Sequence, residues 1–536
     1  MDLGSHVQAW IDDDPDPLTA AQLQLWLDTD NQEELRRSFS GFLAFGTAGM
    51  RGPVRPGPSG MNRAVVGRTA AAIATYMRER NLDSVVIGRD ARHGSQEFTQ
   101  ETAQIMSGAG MNVYVLPRPL PTPVLAFATN ELKCDVGIMI TASHNPAQDN
   151  GYKVYLGGTV DKIKYRGSQI ISPTDESIAA HIDAITTLAS VPRGARWSIV
   201  GEDTIEKYIG ITAAIATQPG TLKIVYTAMH GVGTHTLLQL FKAAGFDAPI
   251  LVEAQAQPDP DFPTVAFPNP EEPGALDLAL ETARACDADL VIASDPDADR
   301  CAVAVNDPVT GWRMLHGDEL GAIFGESIAR KSTRGILANT IVSSTILSKI
   351  AAHHNLAFRQ TLTGFKWLAK IDGLSFGYEE ALGYAVDAAT VNDKDGLSAA
   401  ITVAQIASDL AAQGKTLLDL LDEIWARYGF HANEQISIRL DDLSVVDSIM
   451  GRLRKNPPTK IAGLSVTSID DLSKPIDELP PTDGLRIWLD GRIRIIIRPS
   501  GTEAKMKCYI EVIEKDSARA QIVMNQLRTP LKELLS

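Results

Sequence analysis

An α/β fold is predicted by three features of the sequence: short β-branched apolar runs, helix-like stretches between them, and Pro and Gly clusters that punctuate the chain. The runs Ser84-Val-Val-Ile-Gly, Val113-Tyr-Val-Leu, Val136-Gly-Ile-Met-Ile, Lys223-Ile-Val-Tyr and Leu290-Val-Ile-Ala read as strands. Arg63 to Asn81 and Glu319 to Lys331 read as helices, which fits crossover connections over a mixed or parallel sheet. The clusters at Gln257 to Pro263, Phe267 to Gly274, Asn456-Pro-Pro and Ile476 to Leu485 mark loops or joins. With 536 residues, the chain is expected to divide near 1–205, 206–310, 311–432 and 433–536.

Composition narrows the function classes. Hydrophobic residues at 44% and charged residues at 22% are globular values, so the chain should fold by itself. Fifty Lys and Arg against sixty-six Asp and Glu leave a formal charge of -16, a field that repels nucleic acid and anionic membrane. An anionic ligand therefore needs a local cationic pocket. The four cysteines, Cys134, Cys286, Cys301 and Cys508, form no CxxC pair, which argues against a disulfide framework or a zinc site. The acidic N-terminus lacks the basic start and apolar core of a signal peptide, and no apolar run reaches about 18 residues. A cytoplasmic protein is expected.

Five stretches carry chemistry. Thr141-Ala-Ser-His-Asn-Pro follows the run ending at Ile140 and precedes Asn150-Gly-Tyr-Lys. A serine at the carboxyl end of a strand lies where α/β folds place active sites, so Ser143 is a nucleophile candidate. The same residues also suit a plain turn in which Ser143 and Asn145 bond the backbone. Next, Ala293-Ser-Asp-Pro-Asp-Ala-Asp-Arg sets Asp295, Asp297 and Asp299 at alternate positions between apolar runs. Carboxylates this close repel one another unless a hard cation or dense cationic pairing neutralises them, and oxygen ligands suit magnesium. An EF-hand calcium loop is excluded, because it needs Gly and Glu where Arg300 and Asn306 stand.

Arg498-Pro-Ser-Gly-Thr-Glu-Ala-Lys follows the strand-like Arg494-Ile-Ile-Ile. Its fork, hydroxyls and glycine can build a phosphate nest, or simply a charged surface turn. It lacks the P-loop spacing. Gly377-Tyr-Glu-Glu-Ala-Leu-Gly-Tyr, with Asn392-Asp-Lys-Asp-Gly after it, offers glutamates and a lysine to sugar hydroxyls, and Phe45-Gly-Thr-Ala-Gly-Met-Arg-Gly is a glycine-rich loop with one arginine. Either of these is weak alone.

Together and in this order, the five stretches resemble the α-D-phosphohexomutase superfamily, which contains phosphoglucomutases, phosphomannomutases and phosphopentomutase-like members. The resemblance spans nearly the whole chain. It implies a four-domain architecture around a central cleft, with mixed sheets flanked by helices and a smaller, mobile C-terminal α+β domain. Domain I would carry the active serine, domain II the metal loop, domain III the sugar loop and domain IV the phosphate loop.

The resemblance also implies roles. Ser143 would carry phosphate, with His144 beside it; Asp295, Asp297 and Asp299 would hold Mg2+ together with an oxygen of the phosphorylated Ser143. Arg51, Lys153 and Arg300 would surround the transferring group. Glu379 and Lys394 would meet sugar hydroxyls, while Arg498, Ser500, Gly501, Thr502 and Lys505 would grip the phosphate that is not transferred. A sugar 1,6-bisphosphate would be intermediate and activator, the partner a small sugar phosphate, and the protein a monomer or homodimer.

Ala381 and Gly383-Tyr384 replace the serine and histidine found in some members, which leaves the hydroxyl contacts and the general base open. Glu-Glu-Ala-Leu-Gly, with Thr363-Gly-Phe-Lys-Trp and Lys394-Asp-Gly, looks most like the branch acting on hexose and pentose phosphates. The expected activity is a phosphoglucomutase-type isomerisation, with phosphomannomutase and phosphopentomutase as alternatives. Two other classes compete. An aspartyl-nucleophile phosphotransferase needs Thr or Val where Asp299 stands, and a sugar-phosphate sensor would bind without turnover.

Overall fold

The computed structural model describes residues 2–440, 442–476, 479–499 and 505–535. The chain forms two compact units: Met1–Leu315 with Ala369–Asp372 and Ala381–Gly414, and His316–Leu368 with Gly373–Glu380 and Lys415–Ser536.

The first unit holds two mixed sheets. One is seven-stranded; its central path runs Met50–Pro53, Asp149–Leu156, Val136–Ile140, Ser84–Arg89, Asn112–Val115 and Ser198–Ile199. Asp149–Leu156 runs antiparallel to both of its path neighbours, whereas Ser84–Arg89 is parallel to the strands on either side. Val136–Ile140 is buried at every residue, which is why its sequence is a continuous apolar run rather than an alternating one. The Gly-rich segment before Met50 is a structural requirement. Gly49 has φ +77°, and a Cβ there would lie 1.8 Å from the Tyr152 carbonyl oxygen.

The second sheet is five-stranded, with Ile224–Thr227 and Leu290–Ala293 parallel at its centre and the hairpin Ala302–Asp307, Gly311–Met314 at one edge. The predicted helix at 63–81 is found at Arg63–Glu79, capped by Asn62, whose side chain accepts from Val65 N.

In the second unit, Ile336–Thr340 pairs in parallel with Ala357–Thr361 and Leu374–Glu379, and the predicted helix at 319–331 is found at Gly317–Lys331. Its C-terminal part holds a six-stranded antiparallel sheet ordered Phe430–Arg439, Lys505–Glu514, Ile493–Pro499, Leu485–Leu489, Leu464–Asp471 and Lys460–Ile461. One face is a core in which Ile487, Ile495, Ile497 and Met506 pack with Met524 and Leu527 of the helix Ser517–Leu534. On the other face, Ile496 and Tyr509 cluster with Ile341 and Val342.

The expected domain limits cross hydrogen-bonded structure: 205/206 falls inside the helix Glu202–Ala213, 310/311 inside the hairpin and 432/433 inside the strand Phe430–Arg439. Among the described residues no helix is long and apolar enough to cross a membrane.

Candidate active site

The strand Val136–Ile140 delivers the segment 141–148 at its carboxyl end. Ser143 is held at φ +53°, a left-handed conformation that costs a non-glycine residue on the order of 1 kcal/mol. Its N–H donates to Thr141 Oγ1 at 2.9 Å. The loop is held from outside by Arg92, 4% exposed, just past the strand Ser84–Arg89. Arg92 Nη2 donates to the carbonyls of Ser143 (2.6 Å) and Asn145 (2.7 Å), and Nη1 to those of Pro146 (2.8 Å) and Asp149 (3.1 Å). A guanidinium suits this task because its donors form a rigid planar fork.

Ser143 Oγ donates to Asp295 Oδ2 at 2.8 Å and lies 3.2 Å from His144 Nδ1. Burial, then the charges of Arg300 and Arg51, push the His144 imidazole well below its ordinary range, so it is neutral at pH 7. Asp295, Asp297 and Asp299 lie in the turn between Leu290–Ala293 and Ala302–Asp307, all buried, with ligand oxygens within 4.8 Å of one another. Arg300 N donates to Asp295 Oδ1 at 3.1 Å.

Lys153, buried on Asp149–Leu156, donates from Nζ to Asp297 Oδ2 (2.6 Å) and Asp299 Oδ2 (2.8 Å). Lys394 Nζ is 3.4 Å from Asp299 Oδ2. Burial, with Asp297 and Asp299 adding to it, raises Asp295 well above the carboxylate range. Burial acts the same way on Asp299, but Lys153, Lys394 and Arg300 overcome it and hold that carboxyl well below the range. Lys153 keeps its proton because its two aspartates outweigh the cost of burial.

Two carboxylate oxygens, Asp297 Oδ1 and Asp299 Oδ1, are buried without a hydrogen-bond partner. Buried anionic oxygens in that state suit a hard divalent cation, so the donor set fits magnesium.

In the second unit, Glu379 ends the strand Leu374–Glu379, and its Oε1 accepts from Gly364 N at 2.9 Å. Arg498 Nη1 donates to Thr363 Oγ1 at 2.7 Å. Neighbouring residues thus seat the carboxylate and the guanidinium. Glu380 Oε2 accepts from Ser343 Oγ (2.9 Å) and Thr340 Oγ1 (3.2 Å).

The segment carrying Ser343 is fixed by a buried ion pair. Arg494 Nη1 donates to the Ile341 carbonyl at 3.0 Å, and Glu511 Oε1 accepts from Ser344 Oγ and Thr345 N, each at 2.7 Å. Arg494 Nη2 and Glu511 Oε2 are 3.1 Å apart.

The structure gathers Ser143, His144, Lys153, Arg300 and the three aspartates, with Arg51 close enough to bias both His144 and Lys153. Lys394, expected among sugar contacts, is 9% exposed, and its ammonium pairs with Asp299 of the acidic cluster. Lys505 begins the strand Lys505–Glu514, whereas Ser500, Gly501 and Thr502 lie outside the described residues. Sequence reasoning missed Arg92, Thr122, whose hydroxyl donates to Asp297 Oδ2, and the Thr340 and Ser343 hydroxyls. Arg92 had a signal, since it too stands just beyond the carboxyl end of a strand.

Three family signatures match, described as phosphoglucomutase/phosphomannomutase α/β/α domain I at residues 43–189, domain II at 203–311 and domain III at 316–428. The chain is 44% identical over 482 residues to a probable phosphomannomutase of Haemophilus influenzae, covering 89% of this chain and 98% of that one. It is 33% identical over 593 residues to a human phosphopentomutase, covering 100% and 95%. A crystal structure of a phosphoglucomutase/phosphomannomutase family protein from Burkholderia thailandensis has the same fold, with a TM-score of 0.72 at 21% identity over 92% of this chain and 97% of that one.

Proposed function

Because the chain belongs to the α-D-phosphohexomutase superfamily, with three phosphoglucomutase/phosphomannomutase α/β/α domains and a C-terminal sheet domain, we propose that it interconverts hexose 1-phosphate and 6-phosphate by a phosphoglucomutase-type reaction. It is a phosphosugar mutase, an isomerase. In our reading, phosphorylated Ser143 gives its phosphoryl group to the free hydroxyl of a sugar monophosphate. The bisphosphate turns around and returns its other phosphoryl group to Ser143.

One observation carries the assignment of Ser143. Its hydroxyl is aimed by a clamped, left-handed loop at Asp295 Oδ2, beside carboxylate oxygens that have no protein partner. Phosphoryl transfer relies on positioning and charge neutralisation, and each residue has a share in it. Arg92 fixes where Oγ sits, Lys153 and Arg300 hold positive charge against the acidic loop, and neutral His144 presents Nδ1 to Oγ. Asp295, Asp297 and Asp299 would hold Mg2+, which supplies charge neutralisation for the transferring group. On the recognition side, Glu379 accepts hydrogen bonds from sugar hydroxyls, and Arg498 and Lys505 take the phosphate that is not transferred.

The 33% identical phosphopentomutase supports a second reading, in which pentose phosphates are also substrates. Specificity constants for glucose, mannose and ribose 1-phosphates, with bisphosphate activator supplied, decide between them. Ser143→Ala tests the nucleophile. Turnover is expected to fall by several orders of magnitude with substrate binding nearly unchanged, and near-normal turnover would remove the assignment.

A further inference from the structure

We propose that Phe262, in the Pro-rich segment 257–263, is a positioning residue for phosphoryl transfer: its ring covers the guanidinium of Arg92 and so fixes the loop that carries Ser143. The part it plays in transfer rests on the assignment of Ser143 above, whereas the brace itself does not.

A guanidinium donates only in its own plane and leaves its two faces bare. In Arg92 the edge is engaged: Nη1 and Nη2 hold four carbonyls between Ser143 and Asp149, and Nε lies 3.3 Å from Asp90 Oδ2. Water admitted to a face would compete for these donors. Phe262 is buried, and its ring centroid lies 4.9 Å from Arg92 Cζ, within the range of a cation–π contact. Burial works against the charge on Arg92 and Asp90 works for it. The electron-rich ring face adds to that support while it excludes solvent.

The backbone is strained to keep the ring there. Phe262 has φ +47°, a left-handed conformation uncommon for a bulky residue. Its N–H donates to the Asp259 carbonyl at 3.2 Å, and Val265 N donates to the Phe262 carbonyl at 3.0 Å. Asp259 N in turn donates to the His230 carbonyl at 3.0 Å, and two residues on, Val232 N donates to the carbonyl of Pro296 in the acidic loop at 2.8 Å. His230 at φ +60°, and Ser143 and Ala298 at +53° each, are left-handed as well. Strained positions persist where the surroundings over-determine them, and here they gather where the nucleophile loop and the acidic loop meet one segment. That segment braces Ser143 through Arg92 and the acidic loop through His230 to Val232.

Hydrogen exchange read by mass spectrometry on the full-length protein tests the brace without any chemistry. Phe262→Leu keeps an apolar side chain but removes the ring face. Amides of 141–149 should then exchange about 10-fold faster or more, while those of Ile224–Thr227 stay within about 2-fold of the parent. In steady-state assays kcat should fall about 10-fold or more with KM within about 2-fold, because a misplaced nucleophile slows transfer rather than binding. Phe262→Tyr retains the ring and should keep both readouts within about 2-fold of the parent. In an Arg92→Lys background, Phe262→Leu should lower kcat by less than about 2-fold further. Unchanged exchange at 141–149, unchanged kcat, a rise in KM in place of the fall in kcat, a loss shared by Phe262→Tyr, or an equal loss in both backgrounds would each overturn the proposal. Phe262→Met takes the place of Phe262→Leu if the latter does not fold. Near-normal turnover in Ser143→Ala would remove the nucleophile instead, and the exchange at 141–149 would still decide the brace.

Discussion

The acidic loop in the first unit and the side chains proposed to meet sugar and phosphate in the second are built on opposite principles. Ser143, Lys153, Asp295, Asp297 and Asp299 are at most 2% exposed, and most of their polar atoms are spent on one another. Glu379, Arg498 and Lys505 are half-buried; a backbone N–H holds one oxygen of Glu379, and the Thr363 hydroxyl and the Tyr509 side chain hold Arg498. The difference matches the role proposed for each region. Charges that neutralise a transferring phosphoryl group are most effective where water is excluded and their geometry is set in advance. Groups that must grip a sugar phosphate and release it keep access to solvent.

The largest test of this contrast is Lys153→Met. Breaking a buried ion pair by removing one partner typically costs about 3 to 5 kcal/mol, because the remaining charges are left uncompensated. The variant should show that loss in urea denaturation, with partial recovery at high Mg2+. A loss near zero would mean that the acidic cluster does not depend on its ammonium partner.

Acid titration tests the support beneath the recognition side. Burial opposes the charge on Glu511, yet Arg494, His431 and the Ser344 hydroxyl bring its carboxyl down from 4.5 to about 2. Between those values the unfolded chain binds a proton that the native one does not. The group's contribution is therefore fully present above pH 4.5 and is lost as pH falls toward 2, by roughly 3 kcal/mol in all. Glu511→Gln should remove that slope from the stability curve. An unchanged slope would assign acid sensitivity to other carboxylates.

In its proposed role, Glu379 makes a charge-assisted contact to sugar hydroxyls worth about 1.5 to 3 kcal/mol, so Glu379→Gln should lower kcat/KM roughly 10- to 150-fold. If pentose phosphates make fewer such contacts they suffer less, whereas negligible loss on both substrates would show that this residue does not read the sugar. The smallest effect is Thr363→Val, which removes one hydrogen bond from Arg498. KM for monophosphates should rise about 2- to 12-fold with kcat nearly constant, consistent with roughly 0.5 to 1.5 kcal/mol. A larger fall in kcat than in affinity would move Thr363 into the reacting half of the comparison.

Much of the molecule was legible before folding. The buried strands show as continuous apolar runs, and the helices at 63–79 and 317–331 lie within two residues of their predicted ends. Ser143 and the three aspartates could be picked out because strand ends followed by small or acidic residues leave a signal within six to eight residues of sequence. The pairing of Lys394 was not legible for a complementary reason: 95 residues separate it from Asp299, and only the fold brings its ammonium to that carboxylate.

Local sequence therefore determined the strands, the turns and which residue types could carry chemistry, because backbone preference and burial periodicity act over a few residues. Tertiary structure decided the partners. Arg92 reaches four carbonyls more than 50 residues away, and Lys153 bridges aspartates more than 140 residues away. Electrostatic and hydrogen-bond energies depend on distance in space and on exclusion of water, and neither is encoded by spacing along the chain.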